Sequence, residues 1–125
     1  MDPIIGKVTW VDLSVADASR LRDFYEAVVG WKPSPVNMGD YDDFNMNIPG
    51  TEQAAVGICH ARSQNADLPP QWLIYVPVED LNASIDACER MGGKVVCRHS
   101  ERYIVIEDPA GAVMVLYQAE AAKVR

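Results

Sequence analysis

Few side chains in this 125-residue sequence have the chemistry to do more than fold, and they lie far apart. Asp12 stands between Val11 and Leu13 in an alternating run, on the same side as Trp10. A carboxylate beside an indole in a partly dry cavity has reason for a raised pKa, and could then act as a base or pair with a cationic ligand. The plainer account is a hydrogen-bonded strand carboxylate near a rim. His60 closes a second alternating run and could be a general base near neutral pH, although no Ser, Cys or carboxylate partner is placed beside it and a solvated strand end explains it too. Cys59 precedes it directly, but neighbours in a strand point to opposite faces, so a Cys-His nucleophile pair is not expected. His99 falls in a turn, Arg98-His99-Ser100-Glu101, and reads as solvated. Trp10, Tyr75 and Tyr117 share one side by alternation, and Tyr41 and Tyr103 are expected to join them. Rings with polar tips suit a flat organic ligand, each adding apolar area and one oriented hydrogen bond, or they fill a core or a dimer contact. Trp31 and Trp72 are expected to pack under helices.

Two strand-helix units must position these groups. Residues 7–15 alternate with the period of a strand, Thr9, Val11, Leu13 and Val15 on the side expected to meet the following helix. That helix, over residues 18–29, opens at Asp17, carries a stripe of Leu21, Phe24, Tyr25 and Val28, and stops at Gly30. Residues 32–37 give a weak signal because two prolines interrupt them, residues 41–48 and 54–59 read as strands, and Pro49-Gly50 as the turn between them. Residues 61–70 are a polar linker ending in Pro69-Pro70. The pattern then returns: a strand over residues 72–78, a helix from Asp80 or Asn82 to about Met91, Gly92-Gly93, and strands over residues 94–98, 102–107 and 112–117, with Asp108-Pro109-Ala110-Gly111 as a type I turn. Residues 119–125 read as a frayed tail. A shift of 63 residues carries Asp17 to Asp80, Gly30 to Gly93, Val15 to Val78, Leu13 to Val76 and Val28 to Met91. Each half is therefore β-α-β-β-β, with modules at about 5–60 and 71–119 of one domain. One such unit leaves a sheet face uncovered, so two are expected to pair, within the chain or between chains.

Composition narrows the function. A net charge of -7, with the 11 basic residues scattered, works against a nucleic-acid partner. No run approaches the ~18 apolar residues of a membrane span and no secretory signal opens the chain, so a cytoplasmic place is expected. Three cysteines without CxxC spacing, Cys59, Cys88 and Cys97, are expected to stay reduced.

The segments WVDLSVAD with FYEAVVGW, then WLIYVPVEDLNASIDACERMGGKV, then IEDPAGAVMVLYQ, resemble the vicinal oxygen chelate superfamily, the glyoxalase, bleomycin-resistance and extradiol dioxygenase group. The resemblance covers most of the chain from Val8 to Gln118. It implies an α+β fold in which tandem βαβββ modules form a half-open, cup-shaped mixed sheet around a small-molecule site, with helices on the outer face. It also implies a divalent metal held by His, Gln or Glu on the strands lining the cup. Here the corresponding positions are Trp10, Ile74 or Leu73, Val115 and the neighbourhood of Ile58, where a one- or two-residue shift would admit His60. Zinc, nickel or iron needs three or four N, O or S donors, so no metal and no cofactor is expected.

The sequence thus leads to a metal-independent small-molecule binding protein of that superfamily, a homodimer, holding an organic ligand through Trp10, Asp12, Tyr41, His60, Tyr75, Tyr103 and Tyr117. Asp12 and His60 are the candidates for catalysis should the protein be an enzyme instead, a lyase, isomerase or hydrolase working metal-free or with a metal at an unusual site through His60. A third reading has the chain mediating assembly only.

Overall fold

A computed structural model describes residues 4–98 and 100–120; His99 and the tail beyond residue 120 lie outside the described residues. Contacts divide the chain into two compact units, residues 11–72 in one, and residues 73 onward together with the chain before Val11 in the other. The fold is α+β, and each unit is a four-stranded mixed sheet carrying one helix.

The first unit holds β1 (Trp10–Val15), α1 (Ala18–Val29), β2 (Lys32–Asn37), β3 (Asp42–Asn47) and β4 (Ala54–His60). Its strand order is β2-β3-β4-β1, with β1 parallel to β4 and the other neighbours antiparallel. The second holds β5 (Trp72–Val78), α2 (Leu81–Arg90), β6 (Lys94–Arg98), β7 (Tyr103–Glu107) and β8 (Val113–Gln118), in the order β5-β8-β7-β6, with β5 parallel to β8. The two plans are the same, as the 63-residue shift requires. The shift also holds in detail at the helix starts: Asp17 accepts the Arg20 N–H at 3.1 Å and Asp80 accepts the Ala83 N–H at 3.1 Å, which satisfies backbone donors that have no partner within the helix.

The weakly signalled residues 32–37 form an edge strand. Pro33 and Pro35 have the same parity, so the edge tolerates both missing N–H groups on its outer side, where no strand needs them. The first strand begins later than expected, at Trp10. Before it, Gly6 and Thr9 donate their N–H groups to the Pro77 and Tyr75 carbonyls at 3.0 and 2.9 Å, so the chain ahead of β1 runs beside β5.

Each unit has its own core. Ala18, Phe44, Met46, Val56 and Ile58 are buried under α1, with Leu21, Tyr25, Trp31 and Trp72 packed against them. Leu81, Ile85, Ile104, Ile106 and Leu116 form the other. The expected stripe on α1 needs correction: Phe24 is 51% and Val28 63% exposed, and Met91, the partner of Val28 under the shift, is 73% exposed. Consecutive helical residues stand about 100° apart, so once Ala18, Leu21 and Tyr25 point at the sheet, Phe24 is carried out of the contact. The helix stops also differ. Gly30 takes the left-handed conformation at φ +88, but in the second unit that role falls to Gly92 at φ +94. Gly93 is needed for space: a Cβ there would lie 2.8 Å from the Glu107 carbonyl oxygen and 2.7 Å from Cys88 Sγ.

Candidate functional site

Registry in the second unit puts Tyr75 beside Val115, Pro77 beside Tyr117, and Tyr103 opposite Tyr117. These positions alternate with Val76, Ile104 and Leu116, which pack under α2, so the three tyrosines stand on the opposite sheet face. The Tyr103 and Tyr117 rings stack with centroids 5.5 Å apart, and Tyr75 meets Tyr103 edge-on at 6.1 Å. All three are half-buried. The Tyr117 hydroxyl lies 2.7 Å from Thr9 Oγ1, and Thr9 Oγ1–H donates to the Tyr75 carbonyl at 3.3 Å. Thr9 was expected on the helix-facing side of a strand; preceding β1 and bonded to β5, it joins the tyrosines instead.

Of the other expected residues, Asp12, Tyr41 and His60 lie in the first unit, in two places. Asp12 pairs in register with Gly57 and Ser14 with Cys59, on the face opposite Val11 and Val15. The Cys59 Sγ–H donates to Asp12 Oδ2 at 3.6 Å. Burial, reinforced by the negative charges of Asp12 and Asp43, pushes the Cys59 thiol well above its ordinary value. Asp43, buried at 6% exposure, also accepts the His60 N–H at 2.8 Å. His60 itself shares the parity of Ile58, on the α1 side, where its Nδ1 sits 3.4 Å from the Ala18 N–H. Tyr41 joins it, edge-on at 5.5 Å, and the Arg62 guanidinium covers the Tyr41 ring at 4.1 Å. Trp10 opens β1 half-buried. Trp31 and Trp72 pack with Tyr25 in the first core, where the Trp72 Nε1–H reaches the Tyr25 hydroxyl at 3.3 Å.

Thr9, Asp43 and Arg62 were not expected at these places, nor was Cys59 expected as the partner of Asp12. Asp43 carried a signal, a carboxylate alternating with Phe44 and Met46 inside a strand. The Cys59–Asp12 contact depends on a parallel pairing across 47 positions, for which no local pattern exists. A cleft of about 400 Å³ between α1 and the β2–β3 hairpin, lined by Arg22, Asp23, Glu26, Pro33, Pro35, Asp42 and Phe44, contains none of the expected ligand-binding residues.

The positions where the superfamily carries metal donors do not fit a metal. Val115 and Leu73 are hydrocarbons at 1% exposure, Ile58 is in the core of the first unit, and Ile74 is also a hydrocarbon. Among the described residues no group of three or more His, Cys, Asp or Glu is placed to hold a metal ion.

Tandem βαβββ units, each a mixed four-stranded sheet carrying one helix, are the architecture of the vicinal oxygen chelate class. A family model described as a glyoxalase-like domain matches residues 9–117, and the chain belongs to that family. It is 32% identical over 123 residues, 91% of its length, to a protein of Mycobacterium bovis named "Putative glyoxylase CFP32". It is 28% identical over 93 residues, 72% of its length, to the anthracycline biosynthesis protein DnrV of Streptomyces peucetius. The chain spans about half the length of the first of these relatives, 46%, and 32% of the second. Its fold is similar to a glyoxalase/bleomycin resistance protein/dioxygenase superfamily member from Vibrio splendidus, with a TM-score of 0.56 at 12% identity over 87% of this chain and 96% of that one. A methylmalonyl-CoA epimerase from Streptomyces coelicolor gives a TM-score of 0.53 at 16% identity, over 98% and 100%.

Proposed function

We propose that the protein binds a small, flat organic molecule against the tyrosine face of β5, β7 and β8, without a metal. The observation that carries this is the grouping of Tyr75, Tyr103 and Tyr117, two of them stacked at 5.5 Å, on a sheet face away from the helix. Three half-buried rings offer a broad apolar surface, and their hydroxyls supply orientation. The relatives' names, a glyoxylase and an anthracycline biosynthesis protein, both concern small organic molecules. Asp12, Tyr41 and His60 belong to the other unit, and the proposal does not depend on them.

Thermal unfolding in the presence of aromatic compounds, 2-naphthol and indole among them, tests the reading. A ligand at a hundred times its Kd stabilises by about 2.7 kcal/mol, which is a readily measured rise in Tm. The rise is expected with the native protein and largely lost with Tyr103→Ala. No stabilisation across the panel would sink the proposal.

The name of the glyoxylase relative favours a second reading, an enzyme, working metal-free or with a metal at an unusual site through His60. Metal analysis of protein purified without a chelator tests the metal-bound form, since one stoichiometric Zn, Ni, Mn or Fe contradicts metal-free binding. We also propose a homodimer, in which a second copy would help cover the sheet face that a βαβββ unit leaves open. We further propose a cytoplasmic place, a reading supported by Cys59, Cys88 and Cys97 forming no disulfide among the described residues.

A further inference from the structure

We infer that Thr9 fixes the direction of the Tyr117 proton, so that the tyrosine face takes a ligand offering an O–H or N–H at that point and disfavours one offering only acceptors. This rests on the binding reading above and deepens it.

Three groups are linked in sequence: the Tyr117 hydroxyl, the Thr9 hydroxyl 2.7 Å away, and the Tyr75 carbonyl, 3.3 Å from Thr9 Oγ1. Each hydroxyl has one proton to give, and the carbonyl has none. Two arrangements compete. In one, Tyr117 donates to Thr9 and Thr9 donates to Tyr75. In the other, Thr9 donates to Tyr117 and the Tyr117 proton points away. Two considerations select the first. A phenol is a stronger acid than an aliphatic alcohol, and its oxygen is the poorer acceptor because its lone pair is delocalised into the ring, so a short bond between the two runs from phenol to alcohol. The Tyr75 carbonyl then receives the Thr9 proton on its second lone pair, the first being taken by the Thr9 N–H at 2.9 Å, and the two hydroxyl bonds polarise each other.

With its proton committed, the Tyr117 oxygen can only accept. It stands at the edge of the Tyr103–Tyr117 stack, where a ring lying on the tyrosine face would place its own substituent. A hydroxyl or amine there finds a partner; an ether, nitrile or carboxylate meets a lone pair. The ligand class is thus a flat aromatic bearing a hydroxyl or N–H group.

The test compares 2-naphthol with 2-methoxynaphthalene, which differ at the oxygen by a proton replaced with a methyl group, by isothermal titration against the native protein, Thr9→Val and Tyr117→Phe. Native protein is expected to bind the naphthol about threefold to tenfold tighter. Tyr117→Phe should abolish the gap. Thr9→Val, which releases the Tyr117 proton, should narrow it by strengthening the methoxy compound. Both compounds binding native protein equally would overturn the inference and leave the binding reading standing, whereas neither compound binding would count against the binding reading. A ligand-free readout keeps the two apart: the tyrosine ring-doublet in the Raman spectrum, taken as native minus Tyr117→Phe, should show a phenol acting as donor, and less so in Thr9→Val. A phenol that reads as acceptor in the native protein overturns the inference whatever the titrations give.

Discussion

Burial and two carboxylates act on Cys59 in the same direction. Losing water penalises the thiolate, and Asp12 and Asp43 add repulsion to it. The folded protein therefore holds the proton at pH values where the unfolded chain has lost it. Below the ordinary thiol value both states are protonated and Cys59 contributes no pH dependence. Above about pH 9, only the unfolded state ionises, so this site lowers stability by up to about 1.4 kcal/mol per pH unit. Urea unfolding at pH 8 and pH 10 should accordingly show a steeper loss for the native protein than for Cys59→Ser, whose hydroxyl does not titrate in that range; parallel losses would mean the thiol is not protected as the structure has it. At the same scale, some site residues were legible in the sequence. Tyr75 and Tyr117 announced themselves by alternation within strands whose faces are fixed by hydrophobic residues on the other side. Thr9 did not, because a residue lying before β1 and bonded to β5 owes its direction to a distant strand rather than to its neighbours. Cys59 was legible in its face but not in its partner, for the same reason.

At the scale of elements, the repeat was the strongest signal, because Asp17 and Asp80 start helices by the same side-chain bond and the strands before them share one pattern. What the repeat concealed is that two glycines related by the shift do different work. Gly30 has open space around its missing Cβ and a left-handed backbone, whereas Gly93 faces the Glu107 carbonyl of β7 at 2.8 Å. An L-residue in the left-handed conformation costs about 1–2 kcal/mol, less for Asn, whose side chain can bond locally. A clash with strand backbone costs about 1–3 kcal/mol and grows with side-chain size. Gly30→Asn is therefore expected to unfold at a urea midpoint close to native and above that of Gly30→Ala. Gly93→Asn should fall below Gly93→Ala. The same order of Asn and Ala at both positions would show that the two glycines are equivalent after all. The edge strand β2 was faint for a related reason: prolines are counted against a strand by local propensity, and only the pairing with β3 reveals that their side of the strand faces away from it.

At the scale of the whole molecule, the two compact units do not coincide with the two sequence repeats. The repeats divide at the polar linker before β5, but the contacts of the chain ahead of Val11 belong with the unit built on β5, α2 and β6 to β8. The physical cause is the pair of backbone bonds from Gly6 and Thr9 to Pro77 and Tyr75, which tie the start of the chain to a strand more than sixty residues away in sequence. If cooperative opening obeys contacts rather than sequence order, the amides of Gly6 and Thr9 must open with the second unit. Asp80→Ala provides the perturbation, because it removes the cap of α2, costs about 1 kcal/mol, and touches neither amide. In native-state hydrogen exchange this variant should speed exchange at Thr9 by about fivefold, in step with amides of β8. Amides of β4 that pair with β1 should change less. Asp17→Ala, the equivalent change at α1, should reverse the pattern, sparing Thr9. If Thr9 instead responds to Asp17→Ala together with β1, the opening units are the sequence repeats, and the bonds to β5 are too weak to define a unit.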